Sequence, residues 1–535
     1  MSSHLPPQPG AGPTAPPPMP ALPPPPLPGT PPYAPKSGAV PAAAMRNALR
    51  IALVMTALYA SQVFIDMLRP RYEGEEAHAW VGILNPPLSG MPDPGFGWYK
   101  VSFWVYVIAL PVAAAIWLFG SRHARTLPDP AASARATLLW QGWVIGVLLA
   151  PYPLWTMDGI SRIPGYILIC LPSTAYAVWL VHRMQRFARV PGWLLLSMVG
   201  WGALIGVGFG GSMIQWWMDY SGNFLFPEFG PDVALDFGRF RAQQTSGALL
   251  FAGIFEELGK GLGVAFAYLL LRRHIHNVVS GIVLGAASGA GFNLMESANY
   301  MAIREGSKAS SEYFTRQSLG LMAGHLAFTA AIGAGFGIAR KLKDPAARRR
   351  AIVCGFGIAM AGHFSNNAFF SYYGRHKQDW FSPTDTVDTL VLLPLAMFLF
   401  QGPLVLLYVI LVRRGNKDQA AALAVELRAE AATGFGAVTA AEVPVLLRPG
   451  RRLFLRLRAL RRDGLTGYRD LSRLYAAQLR LGAARWDRAR DEYVAATDAS
   501  VPATPEEQTL REQIMRLKGR QAQQAAPARP LQVAP

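Results

Sequence analysis

Ten apolar segments, each close to the length that crosses a bilayer, follow one another through the middle of the chain. A helix needs about 20 apolar residues to cross about 30 Å of hydrocarbon. Because the backbone must satisfy its own hydrogen bonds there, such segments are confined to helices. We therefore predict an all-α membrane helix bundle with spans at 48–68, 99–120, 136–155, 163–182, 193–214, 246–271, 277–300, 319–340, 351–373 and 386–411.

Basic side chains are concentrated in every second segment that connects these spans. They precede span one, separate spans two from three, four from five, six from seven and eight from nine, and follow span ten. Because loops rich in Lys and Arg stay in the cytoplasm, the alternation predicts an even number of spans in the plasma membrane, with both termini cytoplasmic. It supports a count of about ten transmembrane helices and leaves open whether spans three and four, which prolines interrupt, are a true pair.

The regions that flank the membrane domain differ from it in composition. Residues 1–44 are dominated by Pro, Ala and Gly, cannot bury a core, and are predicted to be a disordered tail with polyproline II character. Residues 45–414 are the predicted transmembrane domain, 415–518 a basic helical cytoplasmic domain, and 519–535 a second disordered tail. Both cysteines lie in apolar spans, which predicts buried thiols rather than a disulfide.

A strongly basic stretch, residues 446–462, lies in the predicted cytoplasmic domain of a chain whose net charge is +18. Leu453, Leu457 and Leu460 share a helix face there, and arginines fill much of the remainder. Such a helix either lies on an anionic lipid surface or is solvated, and the pattern leaves both alternatives open. Aromatic residues are too sparse for a base-stacking platform, so we expect the lipid bilayer but no nucleic acid as a partner.

Four consecutive spans carry polar side chains that a bilayer normally excludes. A charged residue within a span costs at least about 2.5–3.5 kcal/mol, so these residues are functional candidates. At 1.5 Å per residue, the predicted topology places them in one layer, about 6–15 Å below the outer surface. They are Glu256, Glu257 and Lys260 in span six, Glu296 in span seven, His325 in span eight, and His363 and Asn367 in span nine.

A carboxylate with two imidazoles is typical of a catalytic zinc site, which keeps one position open for water. We expect Glu296, His325 and His363 to be that set, with a spare glutamate as general base. Without metal, a desolvated glutamate would activate water directly, and the Asn367 amide would donate to an oxyanion. In both mechanisms Lys260 would keep a carboxylate ionised and a peptide bond would be hydrolysed, so zinc dependence is left open.

The polar residues form motifs in a definite order. These motifs are Glu-Glu-x-x-Lys, Phe-x-x-x-Glu-x-x-x-Tyr, Gly-His, and His-x-x-x-Asn, beginning at Glu256, Phe292, Gly324 and His363. Four such motifs in consecutive spans resemble the PrsW family of intramembrane proteases, which is related to the CAAX prenyl proteases. The resemblance covers about residues 245–370.

The resemblance implies a protease core at 245–373 in which the seven polar residues named above are catalytic. It also implies a membrane-anchored protein substrate, and the best-known role of the family is site-1 cleavage of an anti-sigma factor. The family often has Asp at the last motif position. Because Asn367 cannot ionise, we expect it to be an oxyanion donor or an orienting group here.

Two other classes of function use similar residues. In a proton- or cation-coupled transporter, Glu256, Glu296 and His363 would form a relay across the membrane. In a non-proteolytic member of the family, the same core would bind membrane proteins without cleaving them. Cleavage that needs Glu256 indicates a protease, whereas proton-coupled flux in vesicles indicates a transporter.

Overall fold

The computed structural model is helical through most of the residues that it describes, and no strand occurs among them. The described residues are 42–68, 94–220, 237–304, 306–495 and 505–525. Most of the predicted proline-rich tail, residues 1–41, lies outside these ranges. Residues 42–44 and 519–525, which we expected to be disordered, are helical. These short segments, rich in Ala and Gln, extend adjoining helices at little cost because both residue types favour helix.

Where the structure describes the residues between helices, the connections are short, and some of them are π-helical turns. In chain order the helices are α1 Ala42–Leu68, α2 Pro94–Thr126, α3 Pro130–Leu149, α4 Pro151–Arg162, α5 Pro164–Arg183, α6 Gly192–Gly200, α7 Val207–Tyr220, α8 Phe237–Leu270, α9 Val278–Arg304, α10 Gly306–Tyr313, α11 His325–Ala339, α12 Pro345–Phe381, α13 Leu393–Ala432, α14 Val443–Leu446, α15 Pro449–Ala495 and α16 Pro505–Ala525. The π-helical turns are Trp201–Gly206, Phe314–Leu319 and Asp388–Leu392.

Within the described residues, five helices are long and apolar enough to cross a membrane. A sixth is obtained if α3 and the start of α4, which are bent by 45° at the break before Pro151, form one span. The predicted count of about ten stays a prediction. Helix α8 falls outside this group since it carries Glu256, Glu257 and Lys260, and α11 has only 15 residues.

Two local expectations need correction. The predicted span 319–340 is continuous helix only from His325, because residues 320–324 form turns in which Gly320 and Gly324 weaken the helix. His325 is therefore the first residue of α11. Cys170 is buried as predicted, but Cys354 is exposed because it lies on the outer face of α12, beside Val353.

Helix α9 is the centre of the bundle, and its most apolar stretch is completely buried. Its closest neighbour is α11, which approaches it along a row of glycines spaced four residues apart. A Cβ at Gly281 would lie 2.1 Å from the Gly333 carbonyl oxygen, and one at Gly285 would lie 2.2 Å from the Thr329 carbonyl oxygen. At the end of this row, Gly289 meets the backbone of His325. The glycine contact therefore sets where His325 lies relative to α9.

The C-terminal helices pack onto the membrane bundle through a shared apolar core. Helix α13 is continuous from Leu393 to Ala432, so the predicted domain boundary at 414 falls inside one helix. Leu423 and Leu427 on its far half pack with α14 and α15 and with Phe187, which lies in the connector after α5. The connector and the C-terminal helices therefore form one packed unit.

Candidate metal centre

Six of the seven predicted site residues converge on one buried cluster. Helix α8 supplies Glu256, Glu257 and Lys260, and the neighbouring helices α9, α11 and α12 supply one residue each: Glu296, His325 and His363. All are buried except Glu296, whose side chain is 18% exposed. Burial of this many ionisable groups is tolerated only when they neutralise and hydrogen-bond one another.

Glu257 is the fully satisfied carboxylate of the cluster. Its Oε1 lies 2.6 Å from Lys260 Nζ and 3.0 Å from His363 Nδ1, and its Oε2 accepts a hydrogen bond of 2.9 Å from the Thr329 hydroxyl. When His363 donates from Nδ1 to Glu257, its Nε2 is left as the free acceptor. Glu257 therefore sets the tautomer and orientation of His363.

Glu296 has the corresponding position beside His325. Its Oε2 lies 2.5 Å from His325 Nε2 and 2.9 Å from an amino group of Arg316. A bond from Nε2–H to Glu296 leaves Nδ1 of His325 as an acceptor, which lies 3.0 Å from Lys260 Nζ and 4.0 Å from Glu256 Oε2. Each histidine is thus held by its own carboxylate and presents its other nitrogen to the centre of the cluster.

Glu256 lies between the two imidazole nitrogens that face the centre of the cluster, His363 Nε2 and His325 Nδ1. Its Oε2 is 3.7 Å from His363 Nε2 and 4.0 Å from His325 Nδ1, and it is buried without accepting a hydrogen bond. One ligand atom from each of Glu256, His325 and His363 lies within 4.8 Å of the others. A buried carboxylate oxygen without a donor is costly, and one carboxylate with two histidines is a common zinc donor set. These residues therefore fit a metal ion.

This group differs by one carboxylate from the metal set predicted from the sequence. Glu296 was expected to be a ligand with His325 and His363, but the oxygen that the structure places near His325 is engaged by the other imidazole nitrogen and by Arg316. The geometry favours Glu256 as the ligand and Glu296 as the group that orients His325. That Glu296 binds the metal stays a prediction, which a structure of the metal-loaded protein would test.

Lys260 supplies the positive charge of the cluster. Its side chain is completely buried, and Nζ lies 3.0 Å from His325 Nδ1 and 3.5 Å from Glu256 Oε2. The ammonium also lies 3.9 Å from the centre of the Phe292 ring. Lys260 thus stabilises the ionised forms of Glu256 and Glu257, which the spacing along α8 places on one side of the helix.

Asn367 is not brought into this cluster by any contact that the structure gives it. It lies one turn after His363 on α12, and its side-chain oxygen accepts from the Asn366 amide at 3.3 Å. Asn366 in turn accepts from Gln401 of α13 at 2.8 Å. Its role as an oxyanion or orienting group stays a prediction.

Arg316 is a site residue that sequence reasoning missed. It lies in the π-helical turn Phe314–Leu319, between α10 and α11, and binds both Glu296 and Glu312. Its guanidinium lies 3.8 Å from the centre of the ring of Tyr300, the last residue of the second sequence motif. Arg316 therefore borders the cluster on the side of Glu296 and Tyr300. The only local signal was the Glu312–Arg316 spacing of four residues, which is common on solvated helices.

The comparisons with known proteins agree with the motifs. Residues 190–402 match the family model described as PrsW family intramembrane metalloprotease. The matched range contains every residue of the cluster and extends beyond the region in which motifs were found, from the connector before α6 to the first part of α13. No curated protein and no solved structure matches the chain.

Proposed function

Residues 190–402 belong to the PrsW family of intramembrane proteases, and on that premise we propose that this chain is a zinc-dependent endopeptidase acting on membrane-anchored proteins. The observation that carries the proposal is the Glu256 carboxylate. It is buried between two histidines and accepts no hydrogen bond. The Lys260 ammonium lies 3.5 Å from this oxygen without a hydrogen bond to it, so a bound cation would satisfy the oxygen more fully than the cluster does alone.

The other residues of the cluster have separable roles in this proposal. Glu256, His325 and His363 would hold the metal, and a bound zinc supplies a Lewis acid that makes water nucleophilic near neutral pH. Glu257 and Glu296 orient the two histidines, and Lys260 balances the negative charge. Of the three glutamates, Glu296 has the most exposed side chain. Because its Oε2 is engaged by His325 and Arg316, we assign to its other oxygen, Oε1, the transfer of a proton from the attacking water to the leaving amine.

The substrate class follows from where the cluster lies. It is enclosed by helices of an apolar bundle, so a peptide bond reaches it from a segment that is itself in or near the bilayer. With the topology that the loop charges predict, the cut falls in the outer half of the membrane. A single-span anti-sigma factor, cut on its outer side, is a substrate of this kind.

The test uses purified full-length protein in liposomes with a panel of single-span substrates. Wild type is compared with Glu256→Gln, which removes a ligand oxygen. The control is Glu512→Gln, which changes a mostly exposed carboxylate on α16. Cleavage and bound zinc are measured on the same samples. We expect Glu256→Gln to lose both and Glu512→Gln to keep both.

The other outcomes point to different functions. Cleavage that needs Glu256 but proceeds without bound zinc, and in a chelator, would support the metal-free glutamate mechanism instead. Proton flux that depends on Glu256, without cleavage of any substrate, would support a transporter. Normal cleavage by Glu256→Gln at a normal zinc content would show that Glu256 is neither a metal ligand nor a catalytic residue.

A further inference from the structure

The first part of α15 has an apolar face that no described helix covers. The side chains of Leu453, Phe454 and Leu457 are 45%, 63% and 45% exposed. At 100° per residue these three positions lie side by side on the helix. This segment ends where Gly464 takes φ 68° and ψ −162°, values that redirect the chain before α15 continues. The face is therefore a short, well-defined surface.

Arginines lie along the edge of this face. Arg458 and Arg461 are exposed and project on the same half of the helix as Phe454, and neither has an acidic neighbour four residues away. The opposite side of the helix faces the protein, where Arg452 is buried. Arg458 follows Phe454 by one turn and Arg461 follows Leu457 by one turn, and an exposed strip that combines apolar and basic side chains in this way is the pattern of helices that lie in the headgroup region of a membrane.

Contacts of the buried side place this helix beside the membrane bundle. The Arg452 guanidinium donates to the carbonyl oxygens of Leu446 and Arg186 and lies over the Phe187 ring. Arg186 and Phe187 belong to the connector that follows α5, one of the helices apolar enough to cross a membrane. Asn416 of α13 binds the same connector at Met184 and Arg186. The helix therefore lies close to the level at which α5 leaves the bilayer.

We propose that Leu453, Phe454, Leu457, Arg458 and Arg461, here called the α15 face, lie on the anionic lipid surface of the membrane that holds the bundle. The apolar side chains enter the headgroup boundary, and the two arginines pair with lipid phosphates. A second copy of the chain is a poorer occupant, because a two-fold contact would set this basic face against itself. The inference is independent of the catalytic activity.

A lipid-quenching experiment tests this position on the full chain. A fluorophore is attached at Phe454→Cys in a C354S background, which removes the exposed native thiol. The control is Phe435→Cys, since Phe435 is 66% exposed in the same C-terminal region. It follows α13, whose end at Ala432 lies about 27 Å along the helix from Arg414. Both proteins are placed in nanodiscs of phosphatidylcholine with or without phosphatidylglycerol, each containing a doxyl-labelled lipid.

We expect the label at position 454 to be quenched by the doxyl lipid in phosphatidylglycerol nanodiscs and much less in phosphatidylcholine alone. The label at position 435 stays unquenched in both. A label at 454 that remains unquenched with phosphatidylglycerol would overturn the proposal. Equal quenching in the two lipids would overturn the role of the anionic surface.

A charge variant tests the arginines separately. R458Q/R461Q removes two basic residues from the α15 face, and the control R516Q/R520Q removes two exposed arginines from α16. Two surface arginines together contribute roughly a 25-fold preference for the bound position of the helix. We therefore expect R458Q/R461Q to abolish most of the quenching and the control to leave it intact. Equal effects of both variants would show that only net charge matters, which contradicts a specific face.

Discussion

At the scale of single residues, the central feature is the unlike environment of two adjacent glutamates. Glu257 has both oxygens engaged by Lys260, His363 and Thr329, whereas Glu256 has a buried oxygen that accepts no hydrogen bond. We therefore expect Glu257 to have a structural role and Glu256 to have a functional role. The Glu257 carboxylate neutralises the buried lysine at 2.6 Å and contributes to folding, whereas the Glu256 carboxylate has a longer ion pair of 3.5 Å with the same lysine and belongs to a group that could hold a metal ion.

This division predicts different effects of two matched substitutions. Glu257→Gln leaves the buried Lys260 ammonium without its closest counter-charge, so we expect a loss of stability of about 3–5 kcal/mol. Glu256→Gln removes only the longer ion pair of 3.5 Å with Lys260 and no hydrogen bond at the buried Oε2, so the loss of stability should be clearly smaller. Thermal unfolding of the two purified variants in detergent, without added metal, measures the difference. Equal losses would contradict the roles assigned here.

At the scale of secondary-structure elements, the contact between α9 and α11 positions the histidine at the start of α11. Glycines on both helices bring the backbones together, so that His325 lies beside Phe292 and Glu296. Since protein interiors are close-packed, an added methyl group in this contact must move one of the helices. Such a movement changes the position of a predicted metal ligand without changing the ligand itself.

We therefore expect Gly285→Ala to weaken zinc binding even though Gly285 touches no ligand side chain. Its Cβ would lie 2.2 Å from the Thr329 carbonyl oxygen, and relief of that clash shifts α11. The control is Gly357→Ala on α12, where an added Cβ has no neighbour within 4 Å. There we expect unchanged zinc binding and a gain of up to about 1 kcal/mol from helix propensity. Zinc titration of both variants measures the two affinities. Unaltered zinc binding by Gly285→Ala would show that the contact between α9 and α11 can relax without moving His325.

At the scale of the whole molecule, the C-terminal helices form one structure with the end of the bundle. The buried Glu430 on α13 binds Arg485 of α15 and Arg511 of α16, so three helices meet at one carboxylate. His276, in the connector before α9, lies 2.7 Å from Asp487 of α15. The helices that carry the candidate site and the C-terminal region are thus joined through ion pairs and a shared apolar core.

Another of these ion pairs predicts how the stability of the C-terminal region depends on pH. Burial alone would raise the pKa of Glu442, but the Lys518 ammonium at 2.8 Å and the Thr439 N–H hold it below the ordinary value of 4.5. A lowered acid pKa stabilises the fold above pH 4.5, and this contribution disappears as the pH falls through the lowered value. We expect Lys518→Met to be less stable than wild type at pH 7, with the difference shrinking as the pH falls below 4.5 through the lowered pKa of Glu442. Thermal unfolding of both proteins at pH 7 and at lower pH measures the difference in stability. A difference that is independent of pH would contradict the prediction.

The sequence alone was sufficient for the all-helical class, for the six polar residues that meet in the cluster and for the resemblance to the PrsW family that the match over residues 190–402 bears out, because hydropathy and helical spacing are local properties. Only the tertiary structure decided which glutamate faces the two histidines. Glu256 and Glu257 are neighbours about 100° apart on α8, so the choice depends on how α8 is rotated against α11 and α12. Arg316 contacts the site from the connector between α10 and α11. The path of a connector cannot be predicted from the periodicity of apolar residues. The docking of the C-terminal helices likewise required contacts between residues more than 200 positions apart, such as Phe187 with Leu427.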